Sequence, residues 1–120
     1  MTQRDLIEFL EDILEAITEI EGFTNGISVE QFAQNREKLL ATVKLLEIVG
    51  EATKKIPDVL RSRYPQIPWR SVAGMRDVLV HEYWQVDVDV VWETVQESLP
   101  LLKDVILEMV DHIQRNEEGA

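Results

Sequence analysis

Leu6-Ile7-Glu8-Phe9-Leu10-Glu11-Asp12-Ile13-Leu14-Glu15-Ala16-Ile17-Thr18-Glu19-Ile20 decides the fold. Leu6, Leu10, Ile13, Leu14, Ile17 and Ile20 recur at steps of three and four, and Glu8, Glu11, Asp12, Glu15 and Glu19 fill the positions between them. A period near 3.6 gathers the apolar side chains on one face, so the stretch reads as an amphipathic helix of about four turns. The alternation of a half-buried strand is absent here, and no hairpin dipeptide stands elsewhere in the chain.

The same period continues outward. Gly22, Asn25 and Gly26 break the first helix. Ser28-x-x-Gln31 has the spacing of a capping box and opens a second, long helix through Phe32, Leu39, Val43, Leu46, Val49 and Ala52, which Pro57 stops. Asp58 to Tyr64 leaves room for one or two short turns before Pro65 and Pro68 enforce an irregular stretch. Pro68 suits the first residue of a third helix, Trp69 to about His81. Asp87 or Asp89 can cap a fourth, running through Val91, Val95, Leu99, Leu102, Ile106, Met109 and Ile113, with Pro100 kinking or splitting it. Asn116–Ala120 reads as a frayed tail. The expectation is an all-α, up-and-down bundle of four to five helices forming one domain over residues 1–120.

Composition narrows the chemistry. The 120 residues contain no cysteine and two histidines, His81 and His112, so disulfides, thiolate metal sites and thiol catalysis are excluded, and no metal site or cofactor is expected. No secretory h-region and no apolar run near the roughly 20 residues of a membrane span is present, so the expected setting is cytoplasmic, with no membrane partner. The net charge of −11 argues against a general nucleic-acid binder, DNA included. Its distribution is uneven. Lys54, Lys55, Arg61, Arg63, Arg70 and Arg76 face one acid, Asp58, across residues 54–76, a net of +5 against −16 for the remainder. Either these are ordinary solvated charges or they form a local anion site on a body that repels polyanions elsewhere. Under the second reading Lys54, Lys55, Arg61, Arg63 and Arg70 are candidates for RNA contact.

The basic segment ends in Arg76-Asp77-Val78-Leu79-Val80-His81-Glu82-Tyr83. A permanently charged guanidinium suits a phosphate or a phosphorane, and an imidazole suits proton transfer near neutral pH. Positions five apart lie about 140° apart on a straight helix. Arg76 and His81 therefore converge only if the helix ends or bends, or if two subunits meet. Taken alone, a histidine beside two aromatics is more often structural or partly buried. The apolar residues Val78–Val80, Tyr83, Trp84, Val86, Val88 and Val90–Trp92 exceed one inner stripe, which we read as a dimer face, with a tightly wrapped core as the alternative. Trp69, Trp84 and Trp92 could stack bases, although packing is the safer assignment. His112 has no partner signature.

Arg76-x4-His81-x-Tyr83 resembles the R-x4-H-x-Y signature of the HepT-like branch of the HEPN superfamily. Ile48-Val49-Gly50-Glu51-Ala52, Ile67-Pro68-Trp69 with Gly74-Met75-Arg76-Asp77, and Val86-Asp87 with Val91-Trp92 and Leu99-Pro100 resemble further stretches of that family, so the likeness covers most of the chain. Asp77 departs from it, standing where the family most often has Asn. The resemblance implies a HEPN-like bundle, homodimeric through its motif-bearing helices, with Arg76 and His81 catalytic at the two-fold cleft and Asp77 and Glu51 supporting it. It also implies a metal-independent endoribonuclease toxin of a type VII-like toxin–antitoxin system acting on RNA. A minimal nucleotidyltransferase antitoxin of the MntA kind would silence it by AMPylation of Tyr83. The rival reading is a non-catalytic subunit that binds a nucleotide or docks such a nucleotidyltransferase.

Overall fold

A computed structural model of the chain describes residues 2–75, 80–82 and 85–119, without the side chains of 80–82 and 117–119. Helix α1 (Gln3–Thr24) is longer than the apolar period requires. Thr2 and Asp5 form a capping box at its start: Thr2 Oγ1 accepts from the Asp5 amide and Asp5 Oδ2 from the Thr2 amide, both at 3.1 Å. Gly22 stays helical, and the chain turns only beyond Asn25, where Gly26 adopts φ 80°.

Ser28 opens α2 (Val29–Gln34) with the expected box: its hydroxyl accepts from the Gln31 amide at 3.1 Å, and Gln31 Oε1 accepts from the Ser28 amide at 2.9 Å. The predicted long helix does not run on from there. Asn35 leaves helical geometry (φ −102°, ψ 89°), and its side chain caps a new helix, α3 (Arg36–Thr53), by accepting from the Lys38 amide at 3.1 Å. Beyond Pro57 lies the short α4 (Asp58–Arg61), and α5 spans Trp69–Ala73 with Pro68 as its cap rather than its first residue.

Here the structure corrects the sequence reading. The helix predicted from Trp69 to His81 is interrupted at Gly74, Met75 is helical again, residues 76–79 lie outside the described residues, and Val80–Glu82 is instead a strand, β1, paired antiparallel with β2 (Gln85–Val86), Val80 opposite Val86 and Glu82 opposite Gln85. Gly74 caps α5, and the β-branched Val80 and Val86, facing each other across the strand pair, favour extended backbone.

Asp87 caps α6 (Val88–Glu93), its Oδ1 accepting from the Val90 amide at 3.2 Å. A π-helical turn, Thr94–Ser98, joins it to α7 (Leu99–Gly119). Pro100 divides the helix as expected. It lacks the amide that would bond the Gln96 carbonyl, and the widened turn precedes it. The backbone stays helical to Gly119, where a frayed tail was expected.

Helix α1 packs on α3 and on α7, and α3 also receives α5. Leu10, Ile13, Ile17, Ile20, Leu46, Val49, Ile106 and Met109 form the centre of the core and are fully buried. Phe32 of α2 meets Trp92 of α6 with ring centroids 5.3 Å apart at 45°, so that tryptophan packs rather than presenting a stacking face. The fold is all-α, with the two short strands its departure among the described residues.

Candidate active site

Helix α5 is the last described helix before Arg76 in the sequence, with Met75 beyond it. It is anchored by the buried Ile67, Val72 and Met75. Trp69 fixes its first turn: the indole Nε1 donates to the carbonyls of Arg61 at 3.0 Å and Tyr64 at 3.1 Å, tying α5 to the end of α4. This assigns Trp69 a structural role. Tyr64 itself is buried, and that burial, reinforced by the Glu108 carboxylate, holds its phenol pKa above the usual value.

On the other side α5 rests on α3 at Gly50. A Cβ at Gly50 would stand 2.9 Å from the Val72 carbonyl oxygen and 3.3 Å from that of Ala73. Beside this contact opens a cleft of about 410 Å³ between α1, α3 and the end of α5, lined by Phe9, Asp12, Lys44, Glu47, Glu51, Lys55 and Ala73 among others. A smaller pocket of about 190 Å³ lies across α5, where Ile67, Val72, Met75, Val90, Leu99 and Leu102 meet and no charged side chain contributes. A phosphodiester needs cations and hydrogen-bonding groups, and of these two only the mixed-charge cleft offers cations among the described residues.

The structure sorts the candidate cations. Lys54 pairs with Glu51 at 2.9 Å, Arg61 pairs with Asp58, and Arg63 Nη1 lies 3.3 Å from His112 Nε2. His112, given no role in the sequence reading, also stands 3.3 Å from Asn116 Nδ2 and links α7 to the loop after α4. Lys55 lines the cleft, and Arg70 is exposed on α5; among the described residues neither has a carboxylate within salt-bridge distance. Arg76, Asp77, Tyr83 and Trp84 lie outside the described residues, and for His81 the backbone within β1 is described but not the side chain. Glu51 is exposed and reaches the cleft as well as Lys54.

Sequence reasoning missed Phe9, Asp12, Lys44 and Glu47. The signal was available: Lys44, Glu47, Ile48 and Glu51 fall at helical steps along one face of α3, and Lys55 follows just beyond its end. The apolar excess around residues 78–92 is partly absorbed by the chain itself, because Val91 is buried and Val86, Val88, Val90 and Trp92 pack against the core. Among the described residues no group of three or more His, Asp or Glu side chains could hold a metal ion, and no helix is long and apolar enough to cross a membrane.

Residues 13–109 match the family described as Ribonuclease HepT-like. The chain belongs to that family. Its similarity to individual relatives runs nearly end to end. It is 41% identical over 120 residues, all of this chain and 99% of the relative, to "Putative RNase MJ1216" of Methanocaldococcus jannaschii. It is 49% identical over 96 residues, 80% of this chain and 87% of the relative, to "Probable ribonuclease HepT" of Thermococcus cleftensis. It is 37% identical over 102 residues, 85% of this chain and 91% of the relative, to "Putative RNase TTE0752" of Caldanaerobacter subterraneus. No solved structure gives a significant match.

Proposed function

We propose that this HepT-like protein is a metal-independent endoribonuclease acting as a homodimer, with Arg76 and His81 as its catalytic residues. The observation that carries the reading is its membership of a ribonuclease family together with the intact Arg76-x4-His81-x-Tyr83 spacing. In the reaction a base removes the proton of a ribose 2′-hydroxyl, whose oxygen attacks the adjacent phosphorus. The P–O5′ bond breaks, an acid protonates the leaving oxygen, and a 2′,3′-cyclic phosphate remains. His81 handles a proton, and Arg76 offsets the charge of the phosphorane. One histidine cannot easily be both base and acid in one turnover, whereas a two-fold dimer supplies two. Lys55, at the cleft and with no carboxylate in salt-bridge distance among the described residues, is suited to a flanking phosphate.

The cellular role we assign is that of a toxin silenced by a nucleotidyltransferase antitoxin that transfers AMP to Tyr83. The added phosphate would bring negative charge and bulk beside Arg76 and His81. Co-expression with such a partner should add AMP-sized mass to a Tyr83 peptide; an unmodified Tyr83 contradicts this part of the proposal. A second reading is favoured by the −16 carried outside residues 54–76: a non-catalytic subunit docking a basic nucleotidyltransferase. Digestion of total RNA in the presence of EDTA separates the two. The enzyme reading expects cleavage by wild type and a loss of roughly 10²–10⁴-fold in His81→Ala. Equal activity in a folded His81→Ala protein removes that residue from the chemistry, and an inert wild type favours the docking subunit.

A further inference from the structure

We propose that the apolar pocket across α5 is a docking site for a basic segment of another protein, which seats one large apolar side chain in the pocket and its lysines or arginines along a row of carboxylates on α6 and the turn after it. The inference goes beyond the nuclease reading and holds for a catalytic or a non-catalytic chain alike. Ile67, Val72, Met75, Leu99 and Leu102, all buried, make the floor of the pocket. Its volume of about 190 Å³ lies below the roughly 300 Å³ at which sites for whole small molecules begin. It is comparable to the roughly 150 Å³ that holds a benzene ring, so one leucine- or phenylalanine-sized group fits, as an anchor residue does at a protein interface. Leu101 stands at the rim, 59% exposed, where a seated segment covers it.

Two parallel rows run along the wall formed by α6, the π turn and α7. Val90, Thr94, Ser98 and Leu102 form the inner row and line the pocket. Asp89, Glu93, Glu97 and Leu101, each one position earlier, form the outer row, and all four are exposed. Steps of four residues advance about 40° around an α-helix. The wider π turn at Thr94–Ser98 drifts back, so the rows stay aligned along the opening. Among the described residues none of the three carboxylates has a hydrogen bond or an ion pair. On the α5 wall the exposed Arg70 directly precedes the lining Ser71, so the mouth is acidic on one side and basic on the other, which orients an incoming segment. This chain's own basic stretch is a poor occupant, because Lys54, Arg61 and Arg63 stand against Glu51, Asp58 and His112. A second copy also brings another −11 to an acidic rim, and RNA meets the same carboxylates with like charge. A cationic protein segment with an apolar anchor satisfies both the rim and the floor.

The test is binding of a short fluorescein-labelled peptide, a central phenylalanine flanked by lysines, to the full chain, read by fluorescence anisotropy. Two counterparts carry serine in place of the phenylalanine, or glutamates in place of the lysines. Wild type is compared with Glu93→Lys/Glu97→Lys and with Glu11→Lys/Glu15→Lys, which makes the same change of net charge at exposed positions of α1, away from the pocket lining. The lysine–phenylalanine peptide is expected to bind wild type, the serine counterpart roughly 10–100-fold more weakly, and the glutamate counterpart not measurably. Glu93→Lys/Glu97→Lys should weaken the first peptide roughly tenfold, while Glu11→Lys/Glu15→Lys stays within about threefold of wild type at physiological salt. No binding of the first peptide overturns the inference. So does equal binding of the serine counterpart, which would leave charge attraction alone, or an equal loss in both double variants, which would leave net charge alone. A Leu101→Asp protein whose oligomeric state differs from wild type by size-exclusion chromatography would give the pocket to a second copy and overturns it as well. The peptide comparison on wild type stands whichever variants fold.

Discussion

Thr42 shows how a single side chain can be placed for reasons other than stability. It lies fully buried on α3, and its hydroxyl has no hydrogen-bond partner among the described residues. A buried donor without a partner costs roughly 1–3 kcal/mol, and valine has the same shape without the hydroxyl. Thr42→Val should therefore raise stability by about 1 kcal/mol, read as a higher denaturant midpoint at unchanged slope; a lowered midpoint would mean the hydroxyl has a partner. Thr24 and Thr53, equally buried, satisfy theirs on the Ile20 and Gly50 carbonyls at 2.9 and 2.7 Å. At this scale the sequence was legible for residue type and opaque for partnership. Arg61, Arg63 and Lys54 read alike as free cations, yet each is engaged by a neighbour, one of them forty-nine positions away at His112. No local pattern encodes that distance.

Among elements, caps and breakers decided what could be read. The apolar period located α1, α3 and α7, because a stripe repeating every three or four residues has one solution. The ends were less legible. Thr2-x-x-Asp5 is a capping box as clear as Ser28-x-x-Gln31, and it carries a testable consequence. The hydrogen bonds from Thr2, its backbone amide first, hold the Asp5 carboxyl below the usual carboxylate range. A carboxyl with a lowered folded-state pKa adds stability above its unfolded-state pKa and loses it as pH falls through the folded value. Wild type should thus exceed Asp5→Asn in stability at neutral pH, and the difference should shrink as the solution is acidified below the carboxylate range. Acid-unfolding curves that stay a constant distance apart would contradict the cap assignment. The strand pair after α5 was not legible. Val80 fits a helical face as well as an extended one, and the decision came from its pairing with Val86, six positions on.

The whole molecule is an acidic helical body with one basic stretch, residues 54–76, which includes α4 and α5. Family membership was legible because it is written in several separated motifs rather than in the triplet alone. The cleft was not, since Phe9 and Asp12 of α1 reach it only once α1 packs on α3 and α5 closes its end.

The most direct measurement is the chemistry of the ends left on a defined RNA oligonucleotide after incubation with the purified protein in EDTA. Mass spectrometry should find 2′,3′-cyclic or 3′-phosphate ends from wild type and intact oligonucleotide from folded Arg76→Ala and His81→Ala. Products with 5′-phosphate ends, or cleavage that persists undiminished in both variants, would contradict the assignment of a metal-independent nuclease built on those two side chains.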